Sequence, residues 1–196
     1  MKPKAAVEPV ATEAAHLVDR LERLARAGEQ SGGLNPAQWD ALRYLARANR
    51  FSRTPAALAE YLATTRGTVS RTLASLEEKG LIARLASDRD GRSVDFDTTK
   101  AGRALLAEDP LAQIAADIAQ ATQNDARLFA DLLQRVLRAA LARNQGRAFG
   151  ICRTCRHFRR DAANGAQGPH HCGLLDVPLS DADSARICAE QSPAAA

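Results

Sequence analysis

The sequence predicts a mainly α-helical protein with a small β-wing. Hydrophobic residues make up 45% of the 196 residues and aromatic residues only 4%, a composition that favours closely packed helices. Residues 54–99 show two short helical patterns followed by two short alternating segments, which is the order of elements in a winged helix-turn-helix. All four cysteines lie between residues 152 and 188, which predicts a separate small metal-bound module at the C-terminal end.

The helix-turn-helix pattern has well-defined ends. Its first helix begins at Thr54-Pro55, an N-cap residue followed by the proline that suits a first helical position. The second helix follows Thr64 or Thr65 and ends before Gly80, which suits a left-handed C-terminal cap. The second helix can enter a major groove, and small polar and basic residues occupy the face opposite its apolar side. The residues predicted to contact DNA on this helix are Arg66, Thr68, Ser70 and Arg71.

A predicted hairpin follows directly. Residues 81–85 and 93–98 have the pattern of paired strands, and the polar connection SDRDGR carries Arg89 and Arg92. Both arginines are expected to reach phosphates or the adjacent minor groove. A plain packing unit and a winged helix that binds protein are the alternatives to DNA binding.

The stretch KGLIARLASDRDGRSVDFDTTKAG resembles the wing of the MarR family of bacterial regulators. The matching residues are Asp88, Asp90, Arg92, Thr99 and Gly102, whereas Thr98 stands where the family usually has leucine. The resemblance covers roughly residues 10–145 and is most specific at the wing. It implies a homodimeric DNA-binding regulator that is not an enzyme.

Further helices flank this region. One is expected from about Thr12 to Gly28, and another from Asn35-Pro36 with Trp39 in the core. After the hairpin, Thr99 caps a helix that Pro110 interrupts. The last helix, from 124–125 to 144, has an apolar face wider than one small domain needs.

The resemblance implies that the terminal helices form the dimer interface. A two-fold dimer places two recognition helices about 34 Å apart, so double-stranded DNA with an inverted-repeat operator is the expected partner. The alternative is that the last helix folds back on its own domain.

Four segments are predicted: a disordered N-terminus at 1–9, a winged-helix DNA-binding and dimerisation domain at 10–145, a four-cysteine module at 146–191 and a disordered tail at 192–196. No apolar run is long enough to span a membrane, and the first residues lack the apolar block of a secretory signal. These features predict a cytoplasmic protein.

The cysteine spacing predicts one metal centre with four thiolate ligands, Cys152, Cys155, Cys172 and Cys188. A single CxxC pair followed by two widely separated cysteines resembles the arrangement in iron–sulfur uracil-DNA glycosylases and related nucleases. That resemblance favours a [4Fe–4S] cluster. Zinc is the alternative, although zinc ribbons usually carry two CxxC pairs with a glycine after each, and Arg156 follows the pair here.

Several functions agree with these features and with a net charge of +4. The first is a DNA-binding regulator that senses redox state or iron through the cysteine centre. The second is the same regulator with a structural zinc site and a small-molecule effector in the cleft between the dimer helices and the winged domain. A nucleic-acid enzyme or a protein-interaction adaptor is a third class, but no catalytic set of residues is evident in the sequence.

Overall fold

The computed structural model describes residues 7–29, 33–86, 94–123, 125–144, 146–162 and 168–194. The described residues form eight α-helices: α1 (Pro9–Gly28), α2 (Pro36–Arg47), α3 (Pro55–Tyr61), α4 (Arg66–Glu78), α5 (Lys100–Ala107), α6 (Leu111–Ala121), α7 (Arg127–Arg143) and α8 (Asp181–Ser184). They also form seven short strands: β1 (Ile82–Ala86), β2 (Val94–Thr98), β3 (Gly150–Ile151), β4 (Phe158–Arg159), β5 (His170–Cys172), β6 (Val177–Leu179) and β7 (Ile187–Cys188). The predicted mainly helical fold with a small wing is confirmed.

Side-chain caps set the starts of the helices around the winged domain. Asn35 and Gln38 form a reciprocal capping box at α2, with N–H to oxygen distances of 2.9 and 3.0 Å. The hydroxyls of Thr54, Thr65 and Thr99 each accept a hydrogen bond from the backbone N–H three residues later. The starts of α2 and of these helices therefore follow from local sequence.

The core is centred on α2. Trp39, Leu42 and Leu45 are each at most 1% exposed and belong to one apolar cluster with buried leucines of α3 and α4. The indole N–H of Trp39 donates to the carbonyl of Glu29 at the end of α1, 3.1 Å away. Trp39 is thus a core residue, as predicted.

The wing is an antiparallel pair, β1–β2, in which Ile82 faces Thr98 and Ala86 faces Val94. The wing tip, with its two arginines Arg89 and Arg92, lies outside the described residues. Gly102 of α5 packs directly beneath the start of the wing, because a Cβ there would lie 2.1 Å from the carbonyl oxygen of Leu81. Any larger residue at 102 would push α5 away from the strand.

The three long flanking helices bury little on their own chain. Neither α1, α6 nor α7 contains a fully buried residue. Arg43 of α2 holds this region together through ion pairs to Glu29 at 2.5 Å and to Asp109 at 2.6 Å. The exposed apolar residues of α1 and α7 are Val10, Leu17, Val18, Leu21, Leu24, Leu128, Leu132, Leu133, Val136 and Leu137.

The C-terminal segment, residues 146–194, builds two small sheets. Strands β3 and β7 pair with each other, and β4, β5 and β6 form a three-stranded sheet in that order. Strand β7 joins the winged domain, because Asn49 donates its backbone N–H to the carbonyl of Ile187 at 2.8 Å. The side chains of Ile187 and Ala189 belong to the same buried cluster as Trp39. The segment therefore completes the core of the winged domain.

Two described elements extend into the segments predicted to be disordered. Helix α1 begins at Pro9, the last residue of the predicted N-terminal segment 1–9. At the other end, the carbonyl of Ser192 accepts from the N–H of Arg156 at 2.9 Å, and Pro193 forms a β-bridge with Cys155. Backbone hydrogen bonds of this kind fix residues 192–194 against the cysteine segment, whereas 1–6 and 195–196 lie outside the described residues.

Among the described residues, no helix combines the length and the apolar character needed to cross a membrane.

The shared core predicts that Ile187→Ala destabilises the winged domain itself. Loss of a buried isoleucine side chain costs about 2–5 kcal/mol, and Ile187 is only 5% exposed. Urea unfolding followed by helical circular dichroism measures the change. Ile151→Ala is the matched control, because Ile151 faces Ile187 in the β3–β7 pair but is 38% exposed. Equal losses of stability in the two variants would contradict the shared core.

Candidate functional site

Helix α4 has one anchored face and one free face. Val69, Leu73 and Leu76 are buried in the core, whereas Arg66 and Arg71 are exposed. Near its C-terminal end, Ser75 accepts a hydrogen bond from the Gln38 amide at 2.9 Å, which fixes α4 against α2. The helix is therefore held rigidly while its outer surface stays accessible.

The four residues predicted to read DNA on α4 differ in how their polar groups are used. Ser70 donates its hydroxyl to the carbonyl of Arg66 at 2.9 Å, which leaves its oxygen available only as an acceptor. Thr68 is half-buried, and its backbone N–H and hydroxyl both bond the Thr65 hydroxyl, at 3.2 and 3.0 Å. Within the described part of the chain, no carboxylate pairs with Arg66 or Arg71. These two guanidinium groups are the strongest donors on this surface.

The cysteines lie on four different pieces of the C-terminal segment. Cys152 begins a short 3-10 turn after β3, Cys155 follows that turn, Cys172 ends β5 and Cys188 ends β7. Cys152 and Cys188 are buried together with Leu179, and Cys172 packs against this small cluster. All four thiols are free. The fold thus brings three of the four predicted ligands into one cluster.

The thiols of Cys152 and Cys188 interact directly. The Cys152 thiol donates to the sulfur of Cys188, and this hydrogen bond, together with burial, raises the pKa of Cys152 above its ordinary value. The same bond is the largest influence on Cys188, and it lowers the pKa of Cys188 to about 6 despite burial of the group.

The winged domain also contacts the cysteine cluster through hydrogen bonds. The Asn49 amide donates to Cys152 at 3.4 Å, and the Ser52 hydroxyl accepts at 2.9 Å from the N–H of Ala189, the residue after Cys188. On the other side of the cluster, the backbone N–H of Ser192 donates to Cys155 at 3.5 Å. The sequence pattern did not single out Asn49 or Ser52, because they lie about a hundred residues or more before the cysteines and in an unremarkable turn.

A complete metal site is not shown. Among the described residues, no group of three or more His, Cys, Asp and Glu side chains is placed to hold a metal ion. The histidines have other partners: His170 accepts from the N–H of Asp161 at 3.2 Å and bonds Asp181 at 3.1 Å, while His171 contacts Asp176. Ligation by all four cysteines, with an iron–sulfur cluster or with zinc, stays a prediction.

A cleft separates the flanking helices from the winged domain. A cavity of about 260 Å³ lies between α1, α2 and α6, and both apolar side chains and charged side chains of either sign line it. The lining residues are Leu21, Glu22, Ala25, Arg26, Glu29, Asp40, Arg43, Leu111 and Ile114. This is the location predicted for a small-molecule effector.

Comparison with known proteins agrees with this architecture. Residues 32–93 match the model of the MarR family. No curated protein sequence matches the chain.

Several solved structures share the fold. The transcriptional regulator SlyA has a TM-score of 0.52 at 16% identity, over 70% of this chain and 96% of that chain. NadR in complex with 4-hydroxyphenylacetate has a TM-score of 0.52 at 21% identity, over 69% of this chain and 97% of that chain. A mutant of MepR from S. aureus has a TM-score of 0.50 at 21% identity, over 69% of this chain and 98% of that chain. Residues 32–93 therefore match the MarR family model, and the chain shares its fold with these structures.

Proposed function

We propose that the protein is a dimeric, sequence-specific DNA-binding transcriptional regulator. The observation that carries this proposal is the free face of α4, where Arg66 and Arg71 are exposed and have no carboxylate partner among the described residues. Unpaired arginines on a rigidly anchored helix suit guanine edges and phosphates. Ser70 and Thr68 flank them as shorter contacts.

The comparisons support the same function. Members of the family whose model matches residues 32–93 are transcription regulators rather than enzymes. Arg89 and Arg92 at the wing tip are proposed to contact the DNA backbone or minor groove beside the helix. A regulator of this kind acts on DNA in the cytoplasm.

Dimerisation through α1 and α7 is part of the proposal. Their exposed apolar residues cannot remain in water without cost, and a second copy of the chain supplies the covering surface. Such a dimer presents two α4 helices to one face of DNA, which suits an inverted-repeat operator.

Arg71→Ala is expected to weaken operator binding by about 1–3 kcal/mol and to relax base preference at one position of each half-site. Anisotropy titration of the operator and of single-base variants measures both effects. Arg20→Ala is the control, because Arg20 is an exposed arginine on α1 and is expected to leave affinity unchanged. Wild-type affinity in Arg71→Ala would exclude α4 as the reading helix.

Light scattering at micromolar concentration is expected to give twice the chain mass of 21.0 kDa. Leu137→Arg places a charge on the exposed apolar face of α7 and should shift the protein toward monomer. The matched control is Leu174→Arg, at a similarly exposed leucine of the cysteine segment. A wild-type monomer would contradict the proposed interface.

We further propose that Cys152, Cys155, Cys172 and Cys188 together bind a metal centre, either a [4Fe–4S] cluster or zinc. Four free thiols lie in one small segment, three of them in one cluster, and two of the sulfurs, those of Cys152 and Cys155, accept N–H donors. These four thiolates would hold the metal. When bound, the centre would supply cross-links to a segment with little apolar core and, as a cluster, a response to redox state or iron.

Cys155→Ser is expected to lose the metal and to make residues 146–194 sensitive to protease, since one missing ligand weakens retention by the other three. Metal analysis and visible absorption of anaerobically purified protein measure the loss of metal. The same measurements on the wild type distinguish the two possible centres. Absorption near 400 nm indicates an iron–sulfur cluster, and a colourless protein with stoichiometric zinc indicates a zinc site. His171→Gln is the control, because His171 is next to Cys172 but contacts Asp176. A wild-type protein that holds neither metal would exclude the centre.

A second candidate retains the regulator but gives the cysteines only a structural zinc ion. The observation in its favour is the cleft between α1, α2 and α6, which is lined by Leu21, Leu111 and Ile114. Because Arg26 and Arg43 in its lining are already paired with carboxylates, the cleft suits a mainly apolar small molecule. In that case the effector binds in the cleft, and operator affinity responds to the small molecule and not to the metal.

A further inference from the structure

We propose that Asn49 and Ser52 transmit the state of the cysteine centre to the DNA-reading helices. The inference rests on the proposed four-cysteine centre and names the residues that connect it to the winged domain. Both belong to the turn between α2 and α3, residues 48–53, which we call the α2–α3 turn. Both are fully buried beneath the C-terminal segment, Asn49 at 0% and Ser52 at 1% exposure.

Asn49 joins the sulfurs to the backbone of the turn. Its amide group donates to Cys152 at 3.4 Å, and its side-chain oxygen accepts from the N–H of Phe51 at 3.1 Å. Its own backbone N–H donates to Ile187, the residue before Cys188. A shift of the Cys152 sulfur or of strand β7 therefore acts directly on the conformation of this turn.

Ser52 makes the second connection. Its hydroxyl accepts from the N–H of Ala189, the residue after Cys188, at 2.9 Å, and its carbonyl accepts from the Tyr44 hydroxyl at 2.7 Å. Two residues later, Thr54 caps α3. The serine thus lies between the last cysteine and the first helix of the helix-turn-helix.

Arg53 extends the connection to the wing. Within the turn, the Arg53 side chain donates to the carbonyl of Ala48 at 3.1 Å. It also pairs with Asp97 of β2 at 2.5 Å, and the Arg53 carbonyl accepts from the N–H of Phe96, also in β2, at 3.0 Å. The α2–α3 turn therefore contacts both DNA-binding parts, α3 with α4 on one side and the wing on the other.

Metal binding would fix the part of the segment against which this turn is packed. The Asn49 amide donates to Cys152 at 3.4 Å, and the Ser52 hydroxyl accepts at 2.9 Å from the residue after Cys188, so hydrogen bonds connect the turn to two of the four proposed ligands. A metal held by these ligands would cross-link the strands that carry them. The turn is consequently held more tightly in the metal-bound protein, and operator affinity differs between the two states.

The test compares the ratio of operator dissociation constants for metal-free and metal-loaded dimers. One arm uses zinc added to the metal-free protein, and the other uses a cluster reconstituted anaerobically with ferrous iron and sulfide. The wild-type ratio is expected to differ from one by roughly 5- to 150-fold. Asn49→Asp keeps the acceptor for Phe51 but removes the donor to sulfur, so its ratio is expected to fall toward one.

Tyr44→Phe is the matched control. It removes another side-chain hydrogen bond to the same turn, but that bond goes to the Ser52 carbonyl and not to sulfur. Its ratio is expected to stay at the wild-type value even if its stability falls. A ratio that falls equally in Tyr44→Phe and Asn49→Asp would overturn the assignment, because it would indicate general loosening of the turn.

A second measurement needs no variant. Because coupling between two ligands is reciprocal, saturating operator must change the metal affinity of the wild-type protein by the same factor. Competition with a chelator, with and without operator, measures this change. Equal metal affinities would overturn the coupling while leaving the metal centre and the DNA-binding function intact. Failure to bind either metal would instead overturn the centre and the coupling together, with operator binding preserved.

Discussion

The structure depends on the polar groups of the α2–α3 turn being satisfied where no water reaches them. A buried N–H or carbonyl without a partner costs about as much as a lost hydrogen bond, so a buried turn needs a complete set of partners. The C-terminal segment provides several of them, through the carbonyl of Ile187 and the N–H of Ala189, and Cys152 accepts from Asn49. The winged domain and the cysteine segment are therefore parts of one packed unit.

The same turn explains why the proposed DNA-reading surface is rigid. Arg53 pairs with Asp97 of the wing while Thr54 begins α3, so the two parts proposed to bind DNA take their position from adjacent residues. Packing of Val69, Leu73 and Leu76 fixes α4 in turn. Because the outward arginines lie on an element held at both ends, base reading by them would require little ordering of the backbone on binding.

Local chemistry made most of the fold predictable. Asn35, Thr54, Thr65 and Thr99 cap helices where the sequence places cap residues, and alternation located the wing strands to within a residue. The contacts of the C-terminal segment were not predictable, because two- and three-residue strands carry no periodic signal and Ile187 pairs with a residue far away in sequence. For the same reason the roles of Asn49 and Ser52 appear only in three dimensions.

The small size of the cysteine segment makes its docking on the winged domain important. Its own buried cluster consists of Cys152, Cys188 and Leu179, which is too little apolar surface to offset the entropy of ordering the segment. Docking of Ile187 and Ala189 into the main core adds apolar burial, and the proposed ligation would add cross-links among the sulfurs. Because the docking surface includes the α2–α3 turn, loss of the proposed metal would act first on contacts that also position α3 and the wing.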